Sequence, residues 1–227
     1  MEKVCVYGSG NWGTTAARII AENIVKYPNE FNKTVTFYVH PMDVNGKQLT
    51  DIINETHENV KYLPGYKIPE NVVATSDINE ALKDVTMMVL VVPHQFLDGS
   101  LKQIIDCIDG PNGENAKNRK LKKVISLIKG LTITEENIET ITQFVERKLN
   151  IKASVLSGAN VATEIASREF SETTIGYHDL EEAKQWKKLF ETDYFLVRCI
   201  EDVYGVEVCG ALKNIVAVGV GIAEGLG

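Results

Sequence analysis

Short apolar runs alternate with helical patterns along most of this chain. The runs Lys3 to Tyr7, Val35 to Val39, Val72 to Ala74, Met87 to Val92, Lys123 to Ile128 and Ala153 to Leu156 are too short for helices and read as strands. Between the first two, Ala16, Ala17, Ile20 and Ile24 fall on one helical face, and Ile138, Ile141, Val145 and Leu149 repeat at the same spacing and predict another helix. Asp77 to Glu80 and Thr132 to Glu135 have the form of capping boxes and predict helix starts. MMVLVV and KVISLI are apolar on both faces, as expected of strands in a parallel sheet covered by helices on either side. The predicted fold class is therefore α/β, with a doubly wound sheet.

Two further strands, Thr173 to Ile175 and Tyr194 to Val197, bracket a helical pattern from Leu180 to Phe190 and extend that sheet. The stretch DGPNGENAKNRK, Asp109 to Lys120, reads as a solvated loop. From Val203 onward the chain is apolar nearly all round, which predicts a helix buried against other elements. Little sequence follows to cover it before Gly227, so the expectation is that it belongs to a larger unit or meets a partner.

Composition narrows the function classes. With 24 Lys and Arg against 31 Asp and Glu, the formal net charge is −7 and there is no basic stripe, which argues against nucleic acid as a partner. Any anionic ligand must then find locally placed positive groups. Cys5, Cys107, Cys199 and Cys209 sit in apolar stretches without CxxC spacing; they predict reduced, buried thiols in a cytosolic-type compartment, and neither a disulfide framework nor a metal site. The opening MEKVCVYG runs straight into a strand, which leaves no room for a secretory signal. The late apolar run carries Glu207, Lys213, Asn214 and Glu224, so it reads as a core helix and not as a membrane span.

The first strand is followed at once by VYGSGNWGTTAARII. Gly8, Gly10 and Gly13 fit GxGxxG and open a helix, the setting of a Rossmann dinucleotide turn. The first glycine makes the turn, the second lets backbone approach a pyrophosphate, and the third permits close helix packing, while the helix N-terminus offers amide donors. The second strand ends in His40, Pro41 and Met42, with Asp43 late for a ribose contact and no arginine for a 2′-phosphate. The expected cofactor is NAD in preference to NADP.

Lysines at strand ends or in apolar helices are candidates for proton transfer, because desolvation and neighbouring cations lower an ammonium pKa. Lys213, in GALKN, lies between Ala211, Leu212 and Ile215, beside a small-residue stripe of Gly210, Asn214, Ala217 and Gly221. The same spacing equally fits a lysine that snorkels to the surface. Lys129, in SLIKG, ends a strand where open α/β sheets bind ligands, although strand-end lysines also face water. Ser157 to Asn160, SGAN, closes another strand and offers either a polar lining or a helix cap. His94, after Pro93, is a weaker candidate base.

Taken in order, GSGNWGTT, HENVKYLPGYKIPENVVA, VVPHQF, SLIKG, SGANVATE, ETTIGY and CGALKNIVAVGVG closely resemble the NAD-dependent glycerol-3-phosphate dehydrogenases of the eukaryotic cytosolic type, over essentially the whole chain. The resemblance implies reversible reduction of dihydroxyacetone phosphate, a small phosphorylated triose, by NADH in a cytoplasmic homodimer. It implies that Lys213 is the catalytic lysine, that Lys129 is a second active-site lysine contacting substrate, and that Asn160 and Asn214 line the same pocket. Cofactor contacts are implied for Gly8, Ser9, Gly10, Asn11, Trp12, Gly13, Phe96 and Ala162. His40 stands where the family often has an aromatic residue near the adenosine.

The resemblance also divides the chain into residues 1–200, a dinucleotide-binding domain, and residues 201–227, the first helix of an all-helical substrate-binding domain that supplies a phosphate-binding arginine. Without that arginine the sequence is expected to bind cofactor and turn over poorly. Two other readings fit the turn: a β-hydroxyacid dehydrogenase, and a non-catalytic NAD-binding module. The two lysines and the pocket asparagine count against the second.

Overall fold

A computed structural model describes residues 1–110, 119–133 and 138–227. Most of the loop expected from Asp109 to Lys120, and Glu135 of the second capping box, lie outside the described residues. In chain order the elements are β1 (Glu2–Tyr7), α1 (Asn11–Ile24), β2 (Phe31–Tyr38), β3 (Asp43–Val44), β4 (Lys47–Gln48), α2 (Leu49–Thr56), β5 (Val72–Thr75), α3 (Ile78–Leu82), β6 (Met87–Leu90) and α4 (Leu97–Asp109). They continue as β7 (Lys123–Ser126), β8 (Leu131–Ile133), β9 (Ile138–Thr140), α5 (Ile141–Leu149), β10 (Ala153–Ser157), α6 (Ala162–Ala166), β11 (Ser171–Gly176), α7 (Leu180–Phe190), β12 (Phe195–Ile200) and α8 (Val203–Leu226).

Eight strands form one sheet in the order β12-β11-β10-β7-β6-β1-β2-β5. The six from β5 to β10 are mutually parallel and follow the doubly wound order. The sheet is mixed and not wholly parallel: β11 runs antiparallel to β10, and β12 parallel to β11. The five-residue α6 is too short to carry the chain back along the sheet, so β11 starts from the end where β10 finishes.

Alternation explains the continuous apolar strands. Val4, Val6, Met87 and Val89 join one core, and Cys5, Tyr7, Met88 and Leu90 join the core on the opposite face. Every residue of β6 is thus buried, whichever way it points.

Three local expectations are corrected. Ile138 is an exposed strand residue paired with Ile133, and the helix begins at Ile141 behind a capping box of Thr140 and Gln143. Asp77 caps α3, but Glu80 bonds back to Thr75 and closes no reciprocal box. The four thiols are free, yet among them only Cys5 is buried and Cys209 is exposed.

The fourth correction concerns α8. Val203 and Glu207 are its buried residues, whereas Ile215, Val216, Val218, Val220 and Ile222 are exposed. Among the described residues it is the one helix long and apolar enough to cross a membrane. Its first turns nevertheless pack on the sheet: a Cβ on Gly176 would meet Val203 Cα at 2.8 Å, and one on Gly210 would meet Ser157 Oγ at 2.0 Å. Glu207 bonds to Thr142 at the start of α5.

Candidate active site at the carboxyl ends of the strands

The glycine turn sits where the strand order reverses, between β1 and β6, and opens the crevice expected of this topology. Gly8 takes φ +120°, and a Cβ there would meet Val91 O at 2.3 Å, because the end of β6 passes directly behind it. A Cβ on Gly13 would meet Gly8 O at 1.8 Å, so the third glycine lets α1 close onto the turn. Gly10 differs: among the described residues nothing lies within 4 Å of a Cβ built on it. Gly10 is also the N-cap of α1 and supplies no side-chain cap, which leaves the first amides free for a ligand. An open cradle above unpaired helix amides fits the diphosphate of a dinucleotide.

Asn59 supports this turn from behind and was not among the residues the sequence marked. Wholly buried, at 0% exposure, it donates through Nδ2 to Ser9 O at 3.0 Å and to Thr14 Oγ1 at 2.9 Å. Its Oδ1 accepts from Tyr62 N at 3.1 Å. Thr14 Oγ1 in turn donates to Gly10 O at 2.9 Å. HENVKYLPGY carried the residue in plain view, but burial fifty positions from its partner leaves no local signal.

The remaining cofactor candidates are dispersed around the crevice. His40 is exposed at the end of β2, and Asp43 is committed to the β3–β4 turn, where Oδ1 accepts from Gly46 N at 2.8 Å. Asn11 is exposed, whereas Trp12 turns its ring toward Phe195, with centroids 6.4 Å apart. Phe96, 58% exposed, lies in a short 3₁₀ turn after β6. Ala162, at the start of α6, is buried, and its carbonyl accepts from Thr15 Oγ1 of α1 at 3.2 Å.

The two candidate lysines converge. Lys213 Nζ, from α8, donates to Gly158 O at 3.1 Å, and Lys129 Nζ, after β7, reaches the same oxygen at 3.4 Å. Desolvation, and then the adjoining Lys213 ammonium, pull Lys129 from lysine's ordinary range down to about 8. Part of Lys129 stays open to water, which screens the effect without changing its direction.

A cavity of about 460 Å³ lies beside Lys213, lined by Ser157, Gly158, Thr174, Cys209 and Gly210 among others. Asn160 is 5% exposed and leans on Glu172 O at 3.4 Å, behind Gly158. Asn214 is exposed on α8 and belongs to no contact of this group. His94 is exposed, lies 3.4 Å from Thr132 Oγ1 and borders Gly130, the residue after Lys129. Among the described residues no three His, Cys, Asp or Glu side chains gather as a metal site.

The family model described as the NAD-dependent glycerol-3-phosphate dehydrogenase N-terminus matches residues 3–183, and that of the corresponding C-terminus matches residues 202–227. The human glycerol-3-phosphate dehydrogenase 1-like protein is 46% identical over 226 residues, covering 99% of this chain and 61% of that protein. A cytoplasmic NAD(+) glycerol-3-phosphate dehydrogenase of Drosophila virilis is 47% identical over 98% of this chain and 60% of its own length. The solved glycerol-3-phosphate dehydrogenase of Saccharomyces cerevisiae superposes with a TM-score of 0.89 at 41% identity, over 99% of this chain and 64% of that one. The chain thus spans about 60% of the length of the curated relatives it matches. Matched by the family's N-terminal model over residues 3–183 and, over 99% of its own length, 46% identical to the human relative, the chain belongs to the NAD-dependent glycerol-3-phosphate dehydrogenase family.

Proposed function

We propose that this protein is an NAD-dependent sn-glycerol-3-phosphate dehydrogenase that interconverts dihydroxyacetone phosphate and glycerol 3-phosphate. The observation that carries the reading is the convergence of Lys129 and Lys213 on Gly158 O, beyond the carboxyl ends of β7 and β10 in the sheet whose β1 leads into the glycine turn. Bound NADH supplies the hydride that reduces the ketone carbon. The amides of the glycine turn hold the cofactor's diphosphate, and the cationic pair holds the substrate's carbonyl oxygen. Lys213 donates the proton that turns this oxygen into the alcohol, and Lys129 adds positive charge as negative charge grows on it. In the reverse direction Lys213 takes the proton back.

NAD is favoured over NADP because the stretch after β2, His40–Asp43, holds no arginine to meet a 2′-phosphate. Asn160 supports the Gly158 segment, and Asn214 reaches substrate from α8. Residues 1–200 form the dinucleotide-binding domain, and residues 201–227 open a helical substrate-binding domain. The exposed apolar side of α8 supports that division, since such a surface calls for cover. The reading extends to a cytoplasmic homodimer in glycerol 3-phosphate metabolism; the relative from Drosophila virilis carries the cytoplasmic name.

Following NADH oxidation by the full-length protein over a panel of dihydroxyacetone phosphate, dihydroxyacetone and short β-keto acids tests the proposal. Turnover confined to the phosphorylated triose is expected. Preference for a keto acid would overturn the substrate, and NADH binding without turnover of any of them would overturn the enzyme.

A further inference from the structure

We propose that Asn59 is a positioning residue that aims the backbone of the glycine turn at the cofactor's diphosphate; this rests on the dinucleotide reading above. The argument begins with the peptide between Ser9 and Gly10. No cis peptide occurs among the described residues, so the Ser9 carbonyl and the Gly10 N–H point in opposite directions. Asn59 Nδ2 holds that carbonyl at 3.0 Å from the buried side of the turn, and the Gly10 N–H is therefore directed away from it. The second Nδ2 proton goes to Thr14 Oγ1 at 2.9 Å, and the Thr14 hydroxyl then has the Gly10 carbonyl as its acceptor at 2.9 Å. Two successive turn carbonyls are thereby engaged on the protein side. An anion approaching the turn meets N–H groups and not oxygen lone pairs.

The carboxamide fits in one orientation only. Its Oδ1 accepts from the Tyr62 backbone N–H at 3.1 Å, so exchanging oxygen and nitrogen would set donor against donor at Tyr62 and acceptor against acceptor at Ser9. A residue that only filled space would not need an amide, and one that only tied down its own loop would not need to reach across fifty residues. Asn59 does both through a side chain with no exposure to solvent.

Calorimetric titration of the full-length protein with NADH, ADP-ribose and adenosine tests the role. Asn59→Asp keeps the shape and the acceptor for Tyr62 but sets an oxygen against Ser9 O. NADH and ADP-ribose should bind about 10- to 100-fold more weakly, the scale of losing an oriented donor to a charged group, while adenosine, which has no phosphate, keeps its affinity. Where Asn59→Asp melts below the assay temperature, Asn59→Ser, which leaves room for a water, is titrated in its place with the same expectation. Unchanged ADP-ribose affinity in a folded variant overturns the proposal, as does an equal loss for all three ligands, the mark of a general structural role. Wild-type protein that binds neither NADH nor ADP-ribose overturns the dinucleotide reading itself.

Discussion

Lys129 and Lys213, eighty-four positions apart in the chain, share one hydrogen-bond acceptor, the carbonyl oxygen of Gly158, at 3.4 and 3.1 Å. One neutral oxygen does not balance two ammonium groups. In the proposed reaction a ketone oxygen gaining negative charge at this point would relieve their repulsion, so the pair would favour the transition state over the free site.

The first prediction follows from the charge on Lys129. Desolvation and the Lys213 ammonium place its pKa near 8, so ketone reduction should fall as pH rises through about 8. By linkage the native state binds fewer protons than the unfolded chain between about 8 and lysine's ordinary 10.5, and the cost of this pair to stability shrinks as pH rises through that window. In Lys213→Ala the neighbouring cation is gone and the Lys129 titration should move upward, though not fully back, because desolvation is the larger cause. NMR titration of the labelled lysine carbons reads the shift directly. No movement would separate the two residues.

A second prediction divides labour within the pair. Lys213→Ala should cost on the order of 10²-fold or more in turnover, the usual scale for a positioned acid, and leave NADH affinity nearly intact. Steady-state rates combined with calorimetry decide it. A loss confined to NADH binding would move Lys213 from proton transfer to the cofactor.

Much of this arrangement was legible in the sequence because its signals are local. Six of the eight main strands announce themselves by apolar runs, the last two by the helical pattern they bracket, and the glycine turn by its place between a strand and a helix. Both lysines are visible as cations at the edge of apolar segments. What unites them is a backbone carbonyl, and no residue type encodes that. Asn59 acts through burial and a partner fifty residues away, which spacing cannot reveal. Ile138 was misread because its helical register with Ile141 is real, yet pairing with Ile133 outweighs it. The hairpin of β3 and β4 had a signal, Asn45 and Gly46, both of which take positive φ.

A third prediction separates two glycines of the turn. Gly13→Ala would bring a methyl to 1.8 Å from Gly8 O and should destabilise the fold by about 3 kcal/mol, as overpacking does. Gly10→Ala meets no protein atom within 4 Å among the described residues, so its cost to stability should stay under about 1 kcal/mol, the scale of an N-cap exchange. The added methyl instead enters the diphosphate's space, and NADH affinity should drop about tenfold or more. Thermal melts beside NADH titrations check both. A Gly10→Ala protein that binds NADH normally would place the diphosphate elsewhere.

The last prediction concerns how α8 holds Lys213 in reach. Glu207 is 2% exposed and accepts from Thr142 N at 3.0 Å and from the Thr142 hydroxyl, at the start of α5. Burial pushes its carboxyl above the usual range, against the pull of the Thr142 hydroxyl and amide. A raised pKa in the native state means that stability from this group is full below the ordinary carboxylate pKa and is lost as pH rises through the raised value. Glu207→Gln can accept from the Thr142 amide and donate to its hydroxyl, so it should stay within about 1 kcal/mol of wild type and lose that part of the pH dependence. Glu207→Ala leaves the Thr142 amide buried without an acceptor, and a cavity beside it, and should cost about 3 kcal/mol. It also frees the first turns of α8, so turnover should fall with Lys213 untouched. Melting curves at pH 5 and pH 8, alongside rates for both variants, distinguish an anchor from a bystander. If Glu207→Ala kept full activity, Lys213 would have to be held by the packing of α8 on the sheet, Val203 on Gly176 and Gly210 on Ser157.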